Sequence, residues 1–314
     1  MIEISHLSKV YGQQRAVDDI SFTIDEGKIV GFLGPNGAGK TTTMKIVTCF
    51  MPPTSGDVTV GGLSVSDNSL EVRRMIGYLP ELNPLYTEMN VLDFLDYVGE
   101  LRDIGSDRRP ARLREMVEMC GLGDVIHKDI HQLSKGYKQR VGLAQAMIHD
   151  PKILILDEPT IGLDPNQVVD IRTLIKQIGR EKTVVLSTHI LSEVQSTCDR
   201  AVIINKGKIV ADSSLADLQR DLAGKQLIAV EMTGASGDVQ SRLEQISGVE
   251  EVREAFPDGR IGRVFKLTGP ASSDPRADIF NAAVQSGWTI IGLSREMRSL
   301  EDIFHQLTLT KQAA

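Results

Sequence analysis

At 314 residues the chain is long enough for two domains, and 41% hydrophobic with 25% charged residues is the balance of an ordinary folded protein. A formal net charge of -7 and a single Trp argue against a dedicated nucleic-acid binder and against an aromatic platform for single strands. Cys49, Cys120 and Cys198 are scattered without metal-type spacing and predict free thiols in a reducing compartment. No secretion signal and no apolar run of the roughly 18–20 residues that span a bilayer is visible, so the chain is expected to be cytoplasmic.

The N-terminal residues alternate as strands do, MIEISHLS and then AVDDISFTI, with turn residues Tyr11-Gly12 and Glu26-Gly27. KIVGFLG is a continuous apolar run, as expected of a strand buried on both faces, and a helix is predicted to start near Lys40. Residues 52–63 are turn-rich and predict one short strand. From about 84 to 150 apolar residues recur at helical spacing in VLDFLDYVGEL and RLREMVEMCGL, which predicts a helical insert. Strand and helix then alternate through KILILD, NQVVDIRTLIKQIG, TVVLST, SEVQSTCD and RAVIINKGKIVA, the pattern of a parallel sheet covered by helices.

A change at about 213–225 opens a second domain. LIAVEMT, DVQSRLEQI, VEEVREA, RVFKLTG, DPRADIFNAAVQSG and WTIIGLS predict the order βαββαβ, which is ferredoxin-like, and SLEDIFHQLT predicts a closing helix. The expected domains are thus 1–220, with a helical subdomain at about 84–150, and an α+β domain at 221–314.

Two motifs carry the chemistry. Residues 34–42, GPNGAGKTT, form a complete phosphate loop between an apolar strand and a helix. Gly34, Gly37 and Gly39 let the backbone turn its N–H groups toward phosphates, with Pro35, Asn36 and Ala38 filling the loop between them. Lys40 adds a point charge, the Thr41 hydroxyl is a candidate Mg²⁺ ligand, and Thr42 is placed near the α-phosphate. At residues 153–160, ILILDEPT buries a strand and leaves Asp157 and Glu158 at its C-terminal edge, where open α/β sheets bind ligands. Asp157 is the candidate second Mg²⁺ ligand, and Glu158 the group that orients or deprotonates water. Just ahead of that strand, a Leu-Ser-x-Gly helix start implies a second phosphate-binding surface that the chain's own nucleotide cannot reach, hence an ATPase that works as a pair.

With these residues the chain, over residues 1 to about 220, resembles the ATP-binding cassette (ABC) family of phosphate-loop NTPases. The resemblance implies a RecA-like parallel sheet core, an N-terminal antiparallel β subdomain and a helical insert. LSKGYKQR corresponds to the family's signature, with Lys135 and Tyr137 where Gly and Gln are commonest. Leu133, Ser134 and Gly136 match it, and Ser134 and Gly136 are implied to touch the γ-phosphate held by the other copy of a dimer.

The resemblance also implies that Tyr11 stacks on adenine, that Asp164 in GLDP contacts the opposite subunit, and that His189 touches the γ-phosphate and positions water. Glu81 stands in IGYLPE where the family usually has Gln. As a third candidate metal ligand it adds a negative charge beside Asp157 and Glu158, and tighter metal dependence or slower turnover is expected from it.

The family further implies ATP and Mg²⁺ as cofactors, a homodimer around two ATP, and docking on an integral membrane permease subunit, which would hold the chain at the inner face of the membrane. SLEDIFHQLT is similar to the end of subunits serving ABC-2-type exporters, and GFLGPNGAGKTTTMKIVTCFMPPTSG to the gliding-motility-associated branch. Two other readings stand beside this one. One is a soluble cassette ATPase acting on ribosomes or DNA, which usually carries paired cassettes or long coiled coils that are absent here. The other treats the C-terminal domain as a small-ligand sensor instead of a packed add-on or dimer contact.

Overall fold

A computed structural model describes residues 2–217, 225–234, 238–255 and 262–297. The chain divides into two units, Met1–Leu215 and Ala216–Ala314. In the first unit, β1 (Ile2–Tyr11) and β2 (Gln14–Ile24) pair as an antiparallel hairpin. β3 (Ile29–Leu33) is buried at every residue, as its unbroken apolar run requires, and leads into α1 (Lys40–Val47).

β4 (Ser55–Val60) and β5 (Leu63–Ser64) complete the N-terminal sheet in the order β2-β1-β4-β5. Two strands therefore occupy the region where a single short strand is expected. α2 (Ser69–Met75) and β6 (Ile76–Leu79) follow. α2 has no clear sequence signal, because only Val72 of its seven residues is buried.

The insert consists of α3 (Val91–Leu101), α4 (Arg109–Cys120) and α5 (Lys135–Met147). Asn90 caps α3 by accepting from the Asp93 N–H at 2.9 Å, and α4 ends on Gly121 in a left-handed conformation with φ 62°. Arginines tie the three helices together, Arg109 of α4 pairing with Asp96 of α3 at 2.9 Å. Arg112 donates to the Met147 and Ile148 carbonyls at 2.6 and 2.9 Å, and Arg140 to the Cys120 carbonyl at 3.0 Å.

Thereafter come β7 (Ile153–Asp157), α6 (Pro165–Ile178), β8 (Thr183–Thr188), α7 (Leu191–Thr197), β9 (Arg200–Asn205) and β10 (Lys208–Ser214). The second sheet has the order β10-β9-β3-β8-β7-β6. Its pairs are parallel except β9 with β10. The expected parallel core is therefore present, with β3 at its centre. One apolar core joins the two sheets through residues such as Ile4, Phe22, Phe32, Ile155 and Val185, and the Phe22 and Phe32 rings stack at 5.4 Å.

In the second unit the described elements are β11 (Lys225–Thr233), α8 (Val239–Glu244), β12 (Glu251–Ala255), β13 (Arg263–Pro270), α9 (Arg276–Gln285) and β14 (Thr289–Met297). Their antiparallel sheet has the order β12-β13-β11-β14. Val230, Phe265 and Leu267 from the sheet pack with Leu243, Ile279 and Trp288 in a core of their own. The closing helix expected at 299–308 lies outside the described residues.

The three cysteines are free thiols. His149, between α5 and β7, is a pH-sensitive element of the first unit. Its Nε2 lies 3.1 Å from the Ile76 carbonyl, and burial, with the Arg102 charge adding, pushes its pKa down from 6.5 to about 4. The unfolded chain therefore takes up the proton first. The stability contributed by neutral His149 is complete above pH 6.5 and is lost as pH falls toward 4. Chemical denaturation of His149→Gln over this window is expected to show a flatter pH dependence than the parent chain.

Candidate active site

The phosphate loop runs from the end of β3 to the start of α1 through backbone that only glycine accepts. Gly39 has φ 110°, and a Cβ built there would stand 2.5 Å from the Ala16 carbonyl oxygen. A Cβ on Gly34 would stand 2.3 Å from the carbonyl oxygen of Ile204. α1 begins at Lys40 with no side-chain cap and no acidic residue in its first turn. Its N–H groups and the positive end of its dipole are thus left for an anion. Lys40 is buried and turned back on the loop, donating to the Gly34 and Pro35 carbonyls at 2.8 and 3.3 Å.

Asp157 ends β7 with no solvent exposure. The Ser187 hydroxyl donates to its Oδ1, the Thr41 hydroxyl stands close enough to favour its charged form, and its Oδ2 has no hydrogen-bond partner. Burial pushes its pKa up, and those hydroxyls oppose the shift. Glu158 comes next with φ 50°, a left-handed conformation unusual for a residue with a Cβ. Its N–H donates to the Ser187 carbonyl at 3.1 Å, and its carboxylate lies 3.3 Å from Lys40 Nζ and 3.0 Å from His189 Nδ1. The buried Glu158 therefore bridges the phosphate-loop lysine and the histidine at the end of β8.

A cavity of about 440 Å³ opens over these groups. Tyr11, Asn36, Gly37, Gly39, Lys40, Thr41, Thr42, Glu81 and Glu158 line it, so the structure brings together residues expected separately from sequence. Gln14, Ala16 and Ile161 also line it and are not singled out by any motif. Gln14 was findable from the hairpin, since it pairs directly with Tyr11 in the β1–β2 register. Tyr11 is 46% exposed, and its hydroxyl lies 2.9 Å from Met51 sulfur.

The signature residues Leu133 to Tyr137, like Asp164, do not line this cavity. Ser134 caps α5, its hydroxyl accepting from the Tyr137 N–H at 3.4 Å, and both Ser134 and Lys135 are exposed. Gly136 is buried so closely that a Cβ would come within 2.7 Å of the Gln167 side chain. Asp164 caps α6, accepting from the N–H groups of Asn166 and Gln167, each at 3.0 Å.

A model of the ABC transporter family matches residues 17–161. The chain is 33% identical to an uncharacterized ABC transporter ATP-binding protein of Bacillus subtilis, over 97% of this chain and 98% of that one. This chain is an ABC transporter ATP-binding protein.

Other comparisons agree with that assignment. A bacitracin transport ATP-binding protein of Bacillus licheniformis is 32% identical to this ABC protein, over 98% of this chain and 97% of the relative. Among solved structures, a dimeric ATP-binding cassette in a post-hydrolysis state bound to ADP and Pi superposes with a TM-score of 0.63 at 27% identity, covering 68% of this chain and 99% of that one. The cassette fold, the binding of ATP and the ATPase activity follow from this membership.

The closed fit at Gly39 gives a direct check on the loop. Gly39→Ala is expected to weaken ATP binding by about tenfold or more, because a displacement on the order of 1 Å in a positioning loop is that costly. Its far-ultraviolet circular dichroism should match the parent, and a titration with fluorescent ATP measures the loss.

Proposed function

We propose that this ABC protein is the nucleotide-binding subunit of an ABC-2-type exporter, closing as a homodimer around two ATP and working on a separate integral membrane subunit. The observation that carries the hydrolytic half of this reading is Glu158, held between Lys40 and His189 on the wall of the cavity. Tyr11 offers a ring for adenine at the cavity mouth, and residues 34–42 cradle the phosphates. Glu158 accepts the proton of the attacking water as oxygen–phosphorus bond formation at the γ-phosphate displaces ADP. His189 donates to a γ-phosphate oxygen and fixes the water. Ser134 and Gly136 of one copy reach the γ-phosphate held by Lys40 of the other, and Asp164 lies in the loop that faces the second copy.

Mg²⁺ fits the donor set. Asp157 Oδ2 is buried and unpartnered, and Thr41 and Asp157 line the same cavity. Among the described residues no group of three or more His, Cys, Asp or Glu forms a metal cage. That is the expected arrangement for Mg²⁺, which keeps its waters and shares its shell with substrate phosphates. When bound, the ion neutralises charge on the β- and γ-phosphates. Thr41 and Asp157 would hold it, with Glu81 reaching it from the cavity wall.

A second cavity, of about 590 Å³, supports the membrane half of the reading. Phe50 and Leu82, exposed at 71% and 86%, rim it, and Lys45, Arg73 and Arg102 add positive charge. Thr41 and Glu81 line both cavities, so a partner helix seated in the second would press on residues of the first. Among the described residues no helix is long and apolar enough to cross a membrane. The relationship to a bacitracin transport ATP-binding protein supports the exporter class. The order β12-β13-β11-β14 with two helices supports a ferredoxin-like reading of the C-terminal unit, as an accessory domain.

Glu158→Gln is expected to lower kcat by about 10²–10⁴-fold, the usual worth of a positioned base, and to accumulate an ATP-bound dimer by size-exclusion chromatography. Unimpaired hydrolysis would remove Glu158 from the mechanism. In membranes, the parent chain should co-purify with a polytopic membrane protein in a nucleotide-dependent manner. Leu82→Asp should abolish that association while leaving ATP binding in place.

A further inference from the structure

Behind the active site lies a third buried carboxylate, beside those of Asp157 and Glu158. Glu193, in the first turn of α7, is 3% exposed. The Thr160 hydroxyl donates to its Oε1, and the Thr188 hydroxyl donates to its Oε2 at 2.7 Å. The direction of the second bond is fixed, because the Ile190 N–H donates to Thr188 Oγ1 at 3.0 Å and leaves the hydroxyl proton free to point at Glu193. Both partners are neutral hydroxyls, so nothing in these contacts repays the desolvation of a carboxylate as a cation would. An apolar side chain of the same volume would serve packing better. What the carboxylate does supply is two acceptors at a fixed spacing.

Those acceptors grip two particular places. Thr160 lies two residues beyond Glu158, and Thr188 immediately precedes His189. Glu158 itself occupies a left-handed conformation, with φ 50°, which its surroundings must impose. On one side the Ser187 carbonyl and hydroxyl receive its N–H at 3.1 and 3.2 Å. On the other, its carbonyl accepts from the Ile161 N–H at 3.2 Å in a turn that contains Thr160. Thr160 is also where the loop to Asp164 begins, since its carbonyl accepts from the Leu163 N–H at 3.2 Å.

We infer that Glu193 is a positioning residue that fastens the loop carrying Glu158 to the loop carrying His189, and so sets the spacing of those two groups for hydrolysis. This inference rests on the roles of Glu158 and His189 proposed above. The strut holds the two loops from behind, out of contact with the nucleotide, so its loss acts on turnover and leaves ATP binding intact.

Steady-state ATPase assays on the purified full-length protein test this. Glu193→Ala is expected to lower kcat by about 10–100-fold, the cost of a small misplacement of reacting groups, with KM for ATP within about twofold. Glu193→Gln should recover most of that loss, because its carbonyl oxygen can accept from Thr188 while its amide donates to Thr160. Thr160→Val removes one bond, and Thr188→Val removes its bond to Glu193 together with the one it accepts from the Ile190 N–H; neither opens a cavity, and each should lower kcat. Adding Thr160→Val to Glu193→Ala should change kcat no further, as for two ends of one contact.

Turnover by Glu193→Ala within twofold of the parent, with only the melting temperature reduced, would overturn the inference. If Glu193→Ala does not fold, turnover at the parental rate by both valine variants has the same force. Glu158→Gln separates the two levels. Retained hydrolysis there removes the roles on which the strut depends, whereas lost hydrolysis there with normal turnover in the Glu193 and threonine variants removes the strut alone.

Discussion

Asp157 carries a carboxylate to a place that solvent does not reach, where the Ser187 hydroxyl from β8 donates to it and Thr41 of α1 stands nearby. A carboxylate stripped of water is expensive, so every group that lowers the cost is held to its geometry. That requirement fixes the end of β7 against the end of β8 and against the first turn of the phosphate-loop helix. The neighbouring constraints follow from it. Glu158 can turn into its left-handed conformation because Ser187 has already anchored the residue before it, and His189 projects from the strand that Ser187 belongs to.

Much of this was legible in the chain because its constraints are local. A glycine that cannot accept a Cβ leaves its mark at one position, and the loop from Gly34 to Thr42 announces itself in this way. Buried parallel strands read as unbroken apolar runs, so β3, β7 and β8 were clear. In the C-terminal unit, strand and helix order followed from alternation, but the spatial order β12-β13-β11-β14 depends on pairings that no local pattern encodes.

What stayed hidden was of two kinds. α2 buries a single residue and β5 spans two, so neither had enough pattern to register. Glu193 was hidden for a different reason. An acidic residue in the first turn of a helix looks like ordinary dipole complementation, and only the tertiary structure brings Thr160 and Thr188 to it. Ser134 and Asp164 are intermediate cases. Sequence marks both, and in the folded chain each satisfies the start of a helix while neither lines the cavity that holds Lys40.

Lys40 and Glu158, from the loops at the ends of two neighbouring motifs, form one buried ion pair. The Lys40 ammonium is shared between two loop carbonyls and the Glu158 carboxylate. The ion pair thus couples the two ends of the site, since whatever draws on the Lys40 charge also loosens its hold on the Glu158 carboxylate.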